Sequence, residues 1–146
     1  MINEKKLQLA LALASYAHEG QADKAGKPYI THSLAVSETV EGEDRKIVAL
    51  LHDVLEDTFV TEATLRNLFG DEITDAVCAV TRNENESYED FIVRAGQNEL
   101  ARTVKLADLK HNMDVSRLPE ITERDLQRLE KYRKAYQYLL SRNVAL

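Results

Sequence analysis

The run IVALLHDVLEDT (47–58) is apolar enough to be core, yet it carries four ionisable side chains, His52, Asp53, Glu56 and Asp57. On a helix, residues three and four apart share a face, so His52 lies over Glu56, and Asp53 lies over both Glu56 and Asp57. Carboxylates crowded this closely resist ionising together, and burying them unpaired costs roughly several kcal/mol each, so a cation is expected among them. A divalent metal fits best. A second conflict between pattern and content lies in TVKLADLKHNM (103–113), where Asp108 falls among Val104, Leu106, Ala107 and Leu109. His32, just after the loop that ends in Pro28, stands at the start of another helix. Together His32, His52, Asp53 and Asp108 offer two imidazoles and two carboxylates. That set suits Mn²⁺ or Fe²⁺ at a six-coordinate site with open positions, whereas Zn²⁺ is more often held tetrahedrally by sulfur or histidine. The ligand set leaves the choice among these and other divalent metals open. Neighbouring residues on a helix point about 100° apart, so His52 and Asp53 reach one ion only if it sits over the helix edge.

The elements that must position these residues read as helices throughout. Asn3 caps a first helix over 3–18, and the turn-rich stretch GQADKAGKPY (20–29) ends it. Thr31 caps a second helix to Val40, and Gly42 separates it from a third over 43–55 that carries the acidic cluster. Thr61 starts a fourth that ends at Gly70, and a fifth covers 71–80. The polar stretch TRNENE (81–86) is expected to be the mobile loop. Ser87 with Asp90, and Thr122 with Asp125, read as capping boxes for the sixth and eighth helices, with a seventh over 99–115 stopped by Pro119. The last helix has an apolar stripe of Leu126, Leu129, Tyr132, Tyr136 and Leu139. Strand alternation is nowhere sustained, so the fold class is all-α, one bundle of about eight helices filling a single domain over 1–146.

A chain of 146 residues buries about two thirds of its unfolded surface and needs no disulfide to fold. The single cysteine, Cys78, reads as a small buried hydrophobe, consistent with a reducing cytoplasm. No segment approaches the roughly 20 apolar residues of a membrane span, and nothing resembles a signal peptide. Acidic residues outnumber basic ones 25 to 19, a net charge of −6, which argues against nucleic acid or an anionic membrane as partner. An anionic small molecule would need local cations, for which Lys24, Lys27, Lys105, Lys110 and Arg117 are the candidates.

His32, the doublet His52-Asp53 and Asp108 are similar to the H…HD…D signature of HD-domain metal-dependent phosphohydrolases. Five segments narrow the resemblance: AHEGQADKAGKPYITH (17–32), ALLHDVLEDT (49–58), LFGDEI (68–73), AVTRNE (79–84) and VKLADLKHNM (104–113). In this order they resemble motifs of the hydrolase domain of RelA/SpoT-type alarmone enzymes and their small stand-alone hydrolases. The resemblance implies an all-α enzyme that uses Mn²⁺ to remove pyrophosphate from the 3′ position of guanosine tetra- or pentaphosphate, leaving GDP or GTP. Such an ion lowers the pKa of a bound water and polarises a phosphoryl oxygen. Glu56 and Asp57, in the family's acidic-pair position, would orient or deprotonate that water and manage the leaving-group proton. Asn112 matches the asparagine that faces the nucleotide, and Lys24 and Lys27 lie in the loop that would close over the anionic substrate.

The chain also departs from the family pattern. Ala22 and Asp23 stand where a basic residue, often arginine, follows the GQ pair. Leu109 replaces the arginine common in KLADR, and Ser33 replaces the proline after His32. No synthetase-like segment follows, so transfer of pyrophosphate to GTP is not expected. Asp23 motivates a second reading, in which the same metal site serves another phosphorylated substrate such as a nucleoside phosphate or NADPH. A third reading is a metal- or nucleotide-binding module without turnover.

Overall fold

The computed structural model describes residues 4–23 and 25–144. The helices are α1 (Glu4–Ala17), α2 (Ile30–Thr39), α3 (Glu43–Leu51), α4 (Val54–Asp57), α5 (Glu62–Phe69), α6 (Asp71–Ala79), α7 (Tyr88–Gly96), α8 (Glu99–Asn112) and α9 (Glu123–Val144), with a 3₁₀ turn at Val115–Arg117 before the last. Among the described residues there is no strand, only an isolated bridge between Ala22 and Pro28. No described helix is long and apolar enough to cross a membrane.

α3 is the hub, because every residue from Ile47 to Leu51 is buried. A helix apolar on all sides must be surrounded, and α1, α2, α6 and α8 surround this one. The resulting core contains Ala14, Val36, Val48, Leu51, Leu65, Val77 and Val104. A second, smaller core joins α7, α8 and α9 through Phe91, Leu109, Ala135 and Leu139. α8 serves both, with Val104 and Ala107 on the first core and Leu106 and Leu109 on the second. Leu109, the departure from KLADR, is therefore a fully buried packing residue. Ser33 is likewise fully buried.

The expected third helix is broken. It stops at Leu51, turns through His52 and Asp53, and resumes as the single turn α4. The His52 imidazole Nδ1 lies 2.6 Å from the Ala49 carbonyl, the acceptor that the Asp53 N–H would use in a continuous helix. Side-chain capture of that carbonyl favours the break. Asp57 N–H still bonds Asp53 O at 3.0 Å, so α4 keeps its acids over Asp53.

Thr61, Ser87 and Thr122 cap as expected, accepting from Thr64, Asp90 and Asp125 N–H respectively. Asn98 adds a cap for α8 that was not anticipated. Thr31 does not cap α2. Its hydroxyl donates back to Pro28 O at 2.7 Å, inside a helix that begins one residue earlier. Asn3, the expected first cap, lies outside the described residues. Gly70, at φ +89°, turns the chain from α5 directly into α6, a conformation that favours glycine. Cys78 is half-buried rather than enclosed, and Leu126 is 52% exposed, outside the α9 stripe that packs.

The stretch 81–86, expected to be mobile, is instead latched. Arg94 donates to both carboxylate oxygens of Glu86 at 2.8 Å and to the carbonyls of Cys78 and Thr81 at 3.1 and 2.7 Å. Arg94 holds the Glu86 carboxyl down to about 2. Because the folded value lies below the unfolded one, the latch stabilises fully above about pH 4.5 and its contribution is lost as pH falls toward 2. Arg94→Ala should therefore lower stability more at pH 7 than at pH 3 in urea titrations, the part left at low pH being its bonds to the Cys78 and Thr81 carbonyls. A pH-independent difference, or none, would contradict the latch.

Candidate functional site

Three of the expected ligands meet where α2, α8 and the α3–α4 break converge. One donor atom each from His32, His52 and Asp53 lies within 4.8 Å of the others. Asp108 joins them from α8, at the seam of the two cores. Its Oδ1 is 2.8 Å from His32 Nε2 and 3.3 Å from His52 Nε2. His32, His52 and Asp108 are buried, and Asp53 is half-buried. The helix break removes the constraint that neighbouring helical residues diverge, and it brings Asp53 Oδ2 to 3.1 Å from His52 Nε2.

The chemistry of His52 tests whether this set suits a metal. A carbonyl only accepts, so the bond to Ala49 O puts the ring proton on Nδ1. Nε2 is then left facing two carboxylate oxygens, buried and in hydrogen-bond alignment with neither. In a neutral imidazole this nitrogen carries a lone pair, which two carboxylates repel unless a proton or a metal cation stands between. Burial alone would depress the His52 pKa, but Asp53 and Asp108 hold it well above the usual value. The donor set, its tautomer and its charge therefore fit a divalent cation.

Neighbouring groups hold the carboxylates in their ionised form. Burial would raise Asp53, but the facing His52 ring outweighs it and the carboxyl stays at about 2. The Tyr29 hydroxyl donates to Asp53 Oδ2, and its own pKa is raised by burial and by that carboxylate. Asp108 is held well below the carboxylate range, against burial, by Lys105 and His52. The Lys105 ammonium sits 2.8 Å from Asp108 Oδ2, and Asn112 Nδ2 donates to Oδ1 at 3.0 Å. His32 Nδ1 shares a 2.7 Å hydrogen bond with His111 Nδ1.

Glu56 and Asp57 stand exposed on α4 beside this cluster. The pKa of each is raised, first by partial burial and then by neighbouring carboxylates. Each carboxylate therefore holds a proton more readily than a free one, which suits a proton-accepting role. Gln21 ties this turn to His18, just after α1, since its Nε2 donates to Asp57 O and its Oε1 accepts from His18 Nδ1, both at 2.9 Å.

A cleft of about 410 Å³ opens beside the cluster, lined among others by Tyr29, His32, Asn112, Leu118, Arg128 and Tyr132. Asn112 thus lines the cleft. Lys27 is exposed and does not line it, and Lys24 lies outside the described residues. Lys105 is committed to Asp108, and Lys110 lines a separate groove with Arg45 and Tyr136. Asp23 does line the cleft, but its Oδ1 accepts from Ala25 and Lys27 N–H at 2.9 Å. The acid at the family's basic position therefore shapes the loop. Sequence reasoning assigned no site role to His18, Tyr29, His111 or Arg128, and marked Tyr132 only as part of the packing stripe of the last helix. For Tyr29 the available signal was its place at the end of a turn-rich loop, three residues before His32.

A family model described as HD domain matches residues 10–135. The chain belongs to the HD-domain family. This HD domain is 35% identical over 124 residues to the bifunctional (p)ppGpp synthase/hydrolase SpoT of Escherichia coli K12, an alignment covering 75% of this chain and 18% of that protein. It is 36% identical over 116 residues to a guanosine-3′,5′-bis(diphosphate) 3′-pyrophosphohydrolase of Haemophilus influenzae, covering 69% and 17%. To a GTP pyrophosphokinase of Myxococcus xanthus it is 33% identical over 125 residues, covering 73% and 16%. The chain thus spans less than a fifth of these curated relatives. It shares its fold with the solved structure of a metazoan ortholog of SpoT that hydrolyzes ppGpp, with a TM-score of 0.79, 24% identity, and coverage of 96% of this chain and 88% of that one.

Saturating Mn²⁺ should raise the melting temperature of the wild type by about 5 °C or more, and should leave His52→Ala and Asp53→Ala unmoved. Equal shifts in all three proteins, followed by scanning calorimetry, would place the ion elsewhere.

Proposed function

We propose that this HD domain is a Mn²⁺-dependent phosphohydrolase that cleaves the 3′-pyrophosphate of guanosine tetra- or pentaphosphate, giving GDP or GTP and pyrophosphate, in the cytoplasm. The observation that carries the reading is His52 Nε2, buried between Asp53 and Asp108 with its proton committed to the opposite nitrogen. His32, His52, Asp53 and Asp108 would hold the ion. When bound, it would supply an activated water and polarise the phosphoryl oxygen under attack.

The chain's own groups have separable roles in this reading. Glu56, with its raised pKa, takes the proton of the attacking water, and Asp57 manages the proton of the leaving group. Gln21 keeps that turn in place from the loop. Tyr29 fixes the orientation of Asp53, and Lys105 and Asn112 fix that of Asp108. The cleft between Asn112 and Tyr132 receives the nucleoside, with the Asn112 amide placed for a ribose or phosphate oxygen. The names of the curated relatives support guanosine alarmones as substrate class.

A second reading keeps the site and changes the nucleotide. It is favoured by Asp23, whose carboxylate occupies the loop position where a basic residue would face a base. Incubation of the purified protein with ppGpp, with and without Mn²⁺, resolved by anion-exchange chromatography, separates the two. Metal-dependent GDP and pyrophosphate are expected, and intact ppGpp beside a rapidly cleaved nucleotide from a panel would overturn the leading reading. Glu56→Ala should lose roughly 10² to 10⁴-fold in rate while keeping the Mn²⁺ melting shift. Full turnover in that variant would remove Glu56 from the chemistry.

A further inference from the structure

Basic side chains gather around one ring in a chain that is acidic overall. The Lys131 ammonium lies 4.4 Å from the centroid of Tyr88 and 5.8 Å from that of Tyr132. The Arg82 guanidinium carbon lies 5.8 Å from the Tyr88 centroid. Among the described residues Arg82 spends only its Nε, on Glu86 O, and the Arg94 latch fixes the loop that carries it. Neither Arg82 nor Lys131 forms an ion pair with a carboxylate among the described residues, although acids outnumber bases 25 to 19. The Tyr88 hydroxyl is buried and has no hydrogen-bond partner among the described residues. Lys131 is held below its usual pKa, first by burial and then by repulsion from Arg82, Arg128 and Lys105, so four cations share this neighbourhood. Arg82 feels the Glu86 and Glu56 carboxylates only without contact, so these cations, held together over aromatic faces beside an unused hydroxyl, have room for a further anion.

The cradle adjoins the ligand cluster. Lys105 bonds Asp108 at 2.8 Å and lies 5.2 Å from the Phe91 centroid, and Phe91 meets Tyr88 edge-on at 6.0 Å. Lys105 is already committed, so the uncommitted positive charge is that of Arg82 and Lys131. A phosphoryl group supplies several acceptor oxygens, suited to a guanidinium, an ammonium and a phenol at once.

We propose that Arg82 and Lys131, with Tyr88 between helix α7 and the Arg94-latched loop, form a phosphoryl-binding subsite beside the ligand cluster, holding a phosphoryl group of the substrate other than the one attacked. The assignment rests on the proposed hydrolysis of a nucleotide with phosphoryl groups at two positions. The group held is either the 5′-diphosphate or the terminal phosphoryl of the leaving pyrophosphate.

Calorimetric titration of the Mn²⁺-loaded full chain with GDP, and separately with inorganic phosphate, tests the subsite without requiring turnover. Wild type, Arg82→Gln, Lys131→Gln and Arg124→Gln are compared, the last being an exposed control on the same helix that lines neither the cleft nor the groove of Tyr88 and Lys131. At least one probe should bind about tenfold more weakly to Arg82→Gln and to Lys131→Gln, and as in wild type to Arg124→Gln. Loss confined to GDP assigns the 5′-diphosphate, and loss extending to phosphate assigns the leaving group. Unchanged affinities in both variants, or no binding of either probe to wild type, would overturn the subsite. Weakened GDP binding in a protein that leaves ppGpp intact would keep the subsite and remove only the proposed substrate.

Discussion

One hydrogen bond organises this molecule's chemistry: the His52 Nδ1–H donated to the Ala49 carbonyl at 2.6 Å. It takes the acceptor that a continuous helix would give to Asp53, which ends α3 and starts α4. It fixes the tautomer, so that Nε2 is the nitrogen presented to Asp53 and Asp108. It also turns Asp53 toward its neighbour, which an unbroken helix would not allow. Local backbone, protonation state and ligand direction therefore have one common cause.

That arrangement persists because charge is balanced by groups reaching in from separate elements. Lys105, one turn before Asp108, places an ammonium on the oxygen that the histidines leave free. Tyr29, brought over by the loop between α1 and α2, donates to Asp53. His111 engages the far nitrogen of His32, which frees Nε2 for the interior. α8 carries Lys105, Asp108, His111 and Asn112 and lies between two apolar cores, so packing on both sides locates these polar groups. The acids that would handle protons, Glu56 and Asp57, stay at the surface of α4, where solvent and substrate can reach them.

Much of this was legible in the sequence, for identifiable physical reasons. Ionisable residues inside an apolar run marked His52, Asp53 and Asp108, since burial demands a partner for each. Ser87, Thr61 and Thr122 marked helix starts because a hydroxyl at that position satisfies a backbone N–H. The break at His52 was not legible. It depends on a side chain competing for a carbonyl, and helical periodicity alone gives no sign of it. The polarity of residues 81–86 suggested mobility, but the latch depends on Arg94, which tertiary packing brings to that loop. Asp23 read as a change at the base-recognition position, while its carboxylate serves the backbone of its own turn. Tyr132 and Arg128 reach the cleft only because α9 folds back along α8, a long-range pairing absent from local pattern.

The central claim is that His32 and His52 present their nitrogens, together with Asp53 and Asp108, to one divalent ion. Pulsed electron paramagnetic resonance of the Mn²⁺-loaded protein, with its histidines labelled by ¹⁵N, reads those nitrogens directly. The account predicts hyperfine coupling to two histidine nitrogens in the wild type and no specifically bound Mn²⁺ in His52→Ala. Bound Mn²⁺ with no histidine coupling, or with the same coupling after His52 is removed, would contradict it.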